Sequence, residues 1–152
     1  MLEKKEKLES RCHKKSCKIT LDEYNTIISG DVTDLIFETE KKLIKQLAVD
    51  MLIHNYKPKV IIDYERIAYV EEITNVRVTF DMKISASYEL ESFLDGNYQS
   101  FYLLPSGLNV LEFKFDEILP SHIRNIVESY NLKQCSFSKY YYGRKILDCY
   151  MR

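Results

Sequence analysis

Residues 76–84, Val76-Arg77-Val78-Thr79-Phe80-Asp81-Met82-Lys83-Ile84, alternate without a break. Val76, Val78, Phe80, Met82 and Ile84 form one set, and Arg77, Thr79, Asp81 and Lys83 form the other. Successive side chains on a strand point to opposite faces, so this period of two predicts a strand. Its polar face carries both signs of charge at a spacing of two. Two readings of such a face are open. One is the solvated side of an antiparallel sheet, which is often charged. The other is an interior wall, on which Arg and Lys side chains share phosphate oxygens and a carboxylate holds a divalent metal. The apolar faces would then turn outward and need helices to cover them.

The same property recurs on either side. Toward the C-terminus, residues 110–117 alternate, with Leu111, Phe113 and Phe115 opposed to Glu112, Lys114 and Asp116. Residues 59–70 are rich in Val, Ile and Tyr, and Arg66 shares parity with Tyr64. Residues 85–106 read as an irregular connection containing Gly96 and Pro105. Residues 120–132 read as a helix with Pro120 near its first position, and residues 137–147 as a last strand. Toward the N-terminus, Thr20-Leu21-Asp22-Glu23 has the form of a capping box opening a short helix that ends near Gly30. Residues 31–55 place apolar side chains at Leu35, Ile36, Leu43, Leu47, Val49, Met51 and Leu52, as an amphipathic helix does, and Pro58 closes that region. Residues 1–16 are charged with no helical period and read as a solvated tail or an edge strand; as a strand, residues 1–7 add the row Glu3, Lys5 and Lys7. The resulting order, two strands, helices, three strands, a helix and a strand, predicts an α+β fold with an antiparallel sheet.

Composition narrows the function classes. The 152 residues fit one domain, and 45% hydrophobic residues suffice for a core. A formal net charge of −1 gives no overall attraction to nucleic acid or a membrane surface, so any polyanion site must come from local clustering. No apolar run is long enough for a membrane span. The charged stretch 1–7 lacks the apolar core of a signal peptide, and the expectation is a cytoplasmic protein with reduced thiols at Cys12, Cys17, Cys135 and Cys149. Cys12 and Cys17 have no second pair to complete a zinc signature. His13, His54 and His122 show no ligand spacing. Tyr140, Tyr141 and Tyr142 read as a packed, Tyr-rich strand in preference to a base-stacking platform.

Five segments in order then carry a resemblance. They are Leu2-Glu3-Lys4-Lys5-Glu6-Lys7 with Arg11-Cys12-His13-Lys14-Lys15-Ser16, residues 59–69, Val76-Arg77-Val78-Thr79-Phe80-Asp81, Leu111-Glu112-Phe113-Lys114-Phe115, and Phe137-Ser138-Lys139-Tyr140. Together they resemble the signature strands of the VTC domain, the polyphosphate polymerase domain of the triphosphate tunnel superfamily, over nearly the whole chain. The resemblance implies an antiparallel β tunnel with basic walls and helices packed outside. It implies transfer of the γ-phosphoryl group of ATP to a polyphosphate chain, with Mn²⁺ or Mg²⁺. It assigns phosphate contacts to Lys5, Arg66, Arg77, Lys114 and Lys139, the metal to Glu112, and the catalytic set to Arg66, Glu112 and Lys139. Asp81 and Glu3 are implied as ion-pair partners of the basic wall or as part of the metal shell. The family's first strands have no counterpart before Leu2, so the expectation is a partial tunnel, weak alone, that self-associates or takes strands from a partner chain. Within the same superfamily the alternatives are a non-catalytic polyphosphate- or nucleotide-binding module and a triphosphate hydrolase.

Overall fold

The computed structural model describes residues 1–8, 11–130, 132 and 134–150. The side chains of residues 7, 8, 11 and 12 also lie outside the description, and with them the expected row position of Lys7 and the Cys12 thiol. The chain divides into two units, Met1–Pro58 and Lys59–Arg152.

In the first unit the charged N-terminal stretch forms an antiparallel hairpin of β1 (Leu2–Leu8) and β2 (Arg11–Cys17), with Lys5 opposite Lys14. The helix α1 (Leu21–Ser29) follows, and its capping box forms as the sequence predicts. Thr20 Oγ1 accepts from the Glu23 N–H at 3.1 Å, and the Glu23 carboxylate accepts from the Thr20 N–H at 2.7 Å. Gly30 ends the helix in the left-handed region at φ 85°, where a side chain would be strained. The single helix expected over residues 31–55 is instead two, α2 (Thr33–Glu38) and α3 (Lys42–His54). Thr39 causes the break. Its backbone is extended, and its hydroxyl donates to Glu23 Oε1 at 3.1 Å and accepts from the Lys41 N–H at 3.3 Å. A Thr with local partners of this kind competes with the helical ladder. Ile44, Ala48 and Met51 line one stripe of α3 and close a core with Val32 and Leu35, against which Leu2 and Cys17 of the hairpin pack.

In the second unit β3 (Ile61–Glu71) and β4 (Val76–Ser87) form a long antiparallel pair. On the other edge of β4, β5 (Phe101–Tyr102) pairs with one end and β6 (Val110–Lys114) with the other. The helix α4 (Ser121–Ser129) begins directly after Pro120, as expected, and α5 (Lys139–Tyr150) is the last element. The α+β class with antiparallel sheets is thus as read from the sequence. Each unit's sheet is open, and no barrel closes within either unit among the described residues. No helix among them is long and apolar enough to cross a membrane.

Two features of this unit depart from the sequence reading. First, β4 does not alternate straight through. Asp63 pairs with Ser85 but Glu65 with Met82, so β4 carries one extra residue there, and Lys83 sits in the left-handed region at φ 50°. Such a bulge reverses the parity beyond it. Ile84 and Ala86 therefore share a face with Asp81, whereas unbroken alternation would have put Ile84 with Phe80. Second, residues 139–150 form a helix where a strand was expected. The run of Tyr and Phe has strand propensity, but tertiary packing overrides it. Gly143 and Leu147, four apart, are both buried, and Leu147 joins Ile84, Ala86 and Leu103 in the core with Tyr142 and Ile146 packed alongside. A Cβ at Gly143 would lie 2.5 Å from Ile62 Cδ1 and 3.2 Å from Ala86 Cβ, so the helix backbone lies directly on the sheet. The hydroxyl of Ser138 accepts from the Tyr141 N–H at 3.2 Å at the helix start.

Candidate functional site

Cross-strand partners in an antiparallel sheet share a face. Across β3, β4 and β6 the rows run Arg66–Asp81–Val110, Ala68–Thr79–Glu112 and Val70–Arg77–Lys114. Arg66, Arg77, Glu112 and Lys114, expected as site residues from three separate strands, thus share one face with Thr79 and Asp81. The bulge at Lys83 places the apolar pair Ile62 and Ala86 on this face too, one step along. That apolar end seats α5, and the first residue of α5, Lys139, consequently reaches the charged end.

The centre of the charged end is Asp81, which is fully buried. Arg66 grips it with two parallel hydrogen bonds, Nε to Oδ1 at 2.5 Å and an Nη to Oδ2 at 2.7 Å, and Lys139 Nζ lies 2.6 Å from Oδ2. Burial alone would push the carboxyl's pKa up, but the hydrogen bonds and charges of Arg66 and Lys139 outweigh it and hold the pKa below the usual carboxylate range. The hydrogen bonds that Arg66 donates to Asp81 raise its own pKa in turn. The ring of Tyr64 lies 5.0 Å from both the guanidinium of Arg66 and the ammonium of Lys139, which is cation–π range for each.

Beside this centre, Glu112 spreads its two oxygens between cations, one 3.5 Å from Lys114 Nζ and one 4.0 Å from Arg66. Thr79, opposite Glu112, is 2% exposed and its hydroxyl has no hydrogen-bond partner. Arg77 stands directly opposite Lys114, a like-charge pairing that a sheet does not favour for its own stability. Thr79 and Asp81, on the central strand, are buried on this face, whereas Ala68, Val70, Arg77 and Lys114 around them are exposed. On the opposite face Val76 is buried and Val78 and Met82 are half-buried, while Phe80 is 38% exposed and Tyr69 61%.

A family model for the VTC domain matches residues 1–148. The chain belongs to the VTC domain family. No curated protein and no solved structure matches it.

This VTC domain gathers five of the six expected site residues, Arg66, Arg77, Glu112, Lys114 and Lys139, within its second unit. Lys139 comes from a helix start, not from a strand as expected. The sixth, Lys5, lies in the first unit on the hairpin, where Glu3 Oε1 is 3.3 Å from Lys5 Nζ and Glu3 Oε2 is 2.5 Å from Lys14 Nζ. The hydrogen bond from Lys14, opposed in part by desolvation and aided by Lys5, keeps the Glu3 carboxyl below its ordinary pKa. Glu3 and Asp81 therefore play the same part, one carboxylate held between two cations. Lys14 escaped the sequence reading, although the pairing of two charged strands would have pointed to it. The shared parity of Tyr64 and Arg66 was legible, but the approach of Lys139 to the same ring depends on α5 being a helix and had no local signal. No cluster of three or more His, Cys, Asp or Glu side chains able to hold a metal forms among the described residues.

Proposed function

We propose that this VTC domain binds the phosphate chain of a nucleoside triphosphate and of polyphosphate, and transfers the γ-phosphoryl group of ATP to the polyphosphate end. The observation that carries this is the cluster on one sheet face: among the described residues, four cations, Arg66, Arg77, Lys114 and Lys139, gather with Asp81 and Glu112 as counter-charges. Two of those cations, Arg77 and Lys114, are opposed like charges that a bound polyanion would neutralise. Membership in the VTC family and the tunnel fold that the resemblance implies support the same reading.

The chemistry needs no side-chain nucleophile. A terminal phosphate oxygen of the acceptor attacks the γ-phosphorus, the bond to the β-phosphate oxygen breaks, and ADP leaves with the electron pair. Catalysis then rests on alignment and on neutralising charge. Arg66 presents a planar fork suited to two phosphate oxygens at once, while Lys114 and Lys139 act as point charges. Lys5 of the first unit is proposed as a further phosphate contact. Glu112 fits a role in holding Mn²⁺ or Mg²⁺. Mg²⁺ commonly takes one or two carboxylates and fills its shell with water and substrate phosphates, and a single half-exposed carboxylate matches that habit. When bound, the metal supplies charge neutralisation on the phosphate oxygens.

The test is synthesis of labelled polyphosphate from γ-labelled ATP with Mn²⁺, by the chain and by its Glu112→Gln variant. Product from the chain and loss of product in Glu112→Gln, with ATP-analogue binding retained, is the expected result. Release of inorganic phosphate without chain growth would replace polymerase with hydrolase, and binding without turnover in either protein would reduce the domain to a polyphosphate-binding module.

A further inference from the structure

Asp81 is the one charged side chain fully buried among the described residues, and it lies in the middle of a face proposed to bind anions. A carboxylate there lowers the local positive charge. Coulomb's law alone makes it a competitor of any phosphate, so its presence asks for another reason. The hydrogen bonds supply one. Arg66 has five N–H donors and spends two on Asp81; Lys139 has three and spends one. A bidentate pair fixes the plane of a guanidinium, so the unspent donors of Arg66 point in set directions, and the Nη that bonds Asp81 also lies 4.0 Å from Glu112 Oε2. Lys139 belongs to a different element, and its contact with Asp81 pins the first residue of α5 to the sheet. The ring of Tyr64 lies 5.0 Å from both cations.

We propose that Asp81 is a positioning residue. It holds Arg66 and Lys139 against Tyr64 so that their unspent donors face a phosphate group, and it keeps both cations while the phosphate is bound. This rests on the phosphate-binding reading above. Each long side chain ordered in advance is worth roughly two- to tenfold in affinity, and two are ordered here. The sign of the effect separates positioning from competition: removing the negative charge weakens anion binding under the first and strengthens it under the second.

The experiment is calorimetric titration of inorganic tripolyphosphate into the full chain and into Asp81→Asn, which keeps the shape and removes the charge. The expected result is binding weaker by about tenfold in Asp81→Asn, despite its more positive site. Binding equal to or tighter than that of the unaltered chain overturns the proposal and leaves the phosphate site standing. No binding by the unaltered chain removes the phosphate site and this proposal together. A second measurement does not depend on the variant folding. The Nε–H of Arg66 in the unaltered chain, followed by nitrogen-resolved NMR, is expected to stay protected from solvent exchange when tripolyphosphate saturates the site. Loss of that protection on binding would show that Arg66 leaves Asp81 for the ligand, and would refute positioning.

Discussion

Replacing Gly143 with Ala tests how α5 is held. On an exposed helix the change is favourable by about 1 kcal/mol, because Ala is the better helix former. Here the new methyl meets Ile62 Cδ1 at 2.5 Å, Ala86 Cβ at 3.2 Å and Val60 Cγ2 at 3.5 Å. The end of Ile62 can turn away into another rotamer at modest cost. Ala86 Cβ is fixed to the backbone of the central strand and cannot. Overpacking of this kind costs about 1–3 kcal/mol. The clash therefore outweighs the propensity gain, and a net loss of about 1 kcal/mol is expected, a fall in Tm of roughly 2–4 °C for a chain of this size. Gly143→Val, with two more carbons in the same gap and a β-branch, should lose more. Thermal denaturation followed by circular dichroism measures both. Because Lys139 starts the same helix, Gly143→Val should also weaken tripolyphosphate binding. A Tm raised by Gly143→Ala would refute the reasoning, since it would mean that this helix face does not lie on Ile62 and Ala86.

Thr79→Val keeps the shape of the side chain and removes a buried hydroxyl without a partner, so a gain of about 1 kcal/mol is expected in urea denaturation; a loss would show that the hydroxyl has a partner in solution. Asp81 has its folded pKa below the unfolded one. Its stabilising contribution is therefore complete above about pH 4, the unfolded range, and is lost as pH falls through the lower folded value. Asp81→Asn should flatten that acid limb in a series of melts across pH, and an unchanged limb would assign it to other groups. Glu23 accepts from the Thr20 N–H, from the Thr39 hydroxyl and from Lys41 Nζ at 2.7 Å. Glu23→Ala removes the reciprocal half of the α1 capping box, though not the Thr20 cap itself, and the link that holds the α2–α3 break, for a loss of about 1–2 kcal/mol by chemical denaturation; a loss near zero would make these contacts incidental.

How far the sequence carried depends on the distance over which each feature is decided. The capping box at Thr20 and Glu23 and the C-cap at Gly30 are local chemistry and were legible outright. The strands β4 and β6 were legible from their period, and with them the shared faces of Glu112 with Lys114 and of Arg77 with Thr79 and Asp81; the register between the strands joins the two sets. The bulge was not. Met82 and Ile84 are both apolar, so the pattern runs through Lys83 without a mark, and only the pairing with β3 reveals the extra residue. The split of α2 from α3 was hidden because Leu35, Ile36, Leu43 and Leu47 keep a helical rhythm across it, while its cause, Thr39, acts through Glu23 sixteen positions away. The helix α5 was misread because Phe137 and Tyr140–Tyr142 favour strands locally, and its true sign, a glycine where a helix must touch a sheet, has meaning only once the sheet exists. The site suffered accordingly: Lys139 was expected, but its approach to Asp81 and to the ring of Tyr64 follows from that helix.

The central claim is that the charged face of β3, β4 and β6 binds a phosphate chain. Titration of tripolyphosphate into the full chain and into the Arg77→Ala/Lys114→Ala double variant tests it most directly, since both side chains are exposed and their loss leaves the core intact. Binding by the full chain, weakened at least tenfold in the double variant and falling steeply with added salt, is the expected result. A folded chain that binds no tripolyphosphate, or binds it as tightly without Arg77 and Lys114, would contradict the account.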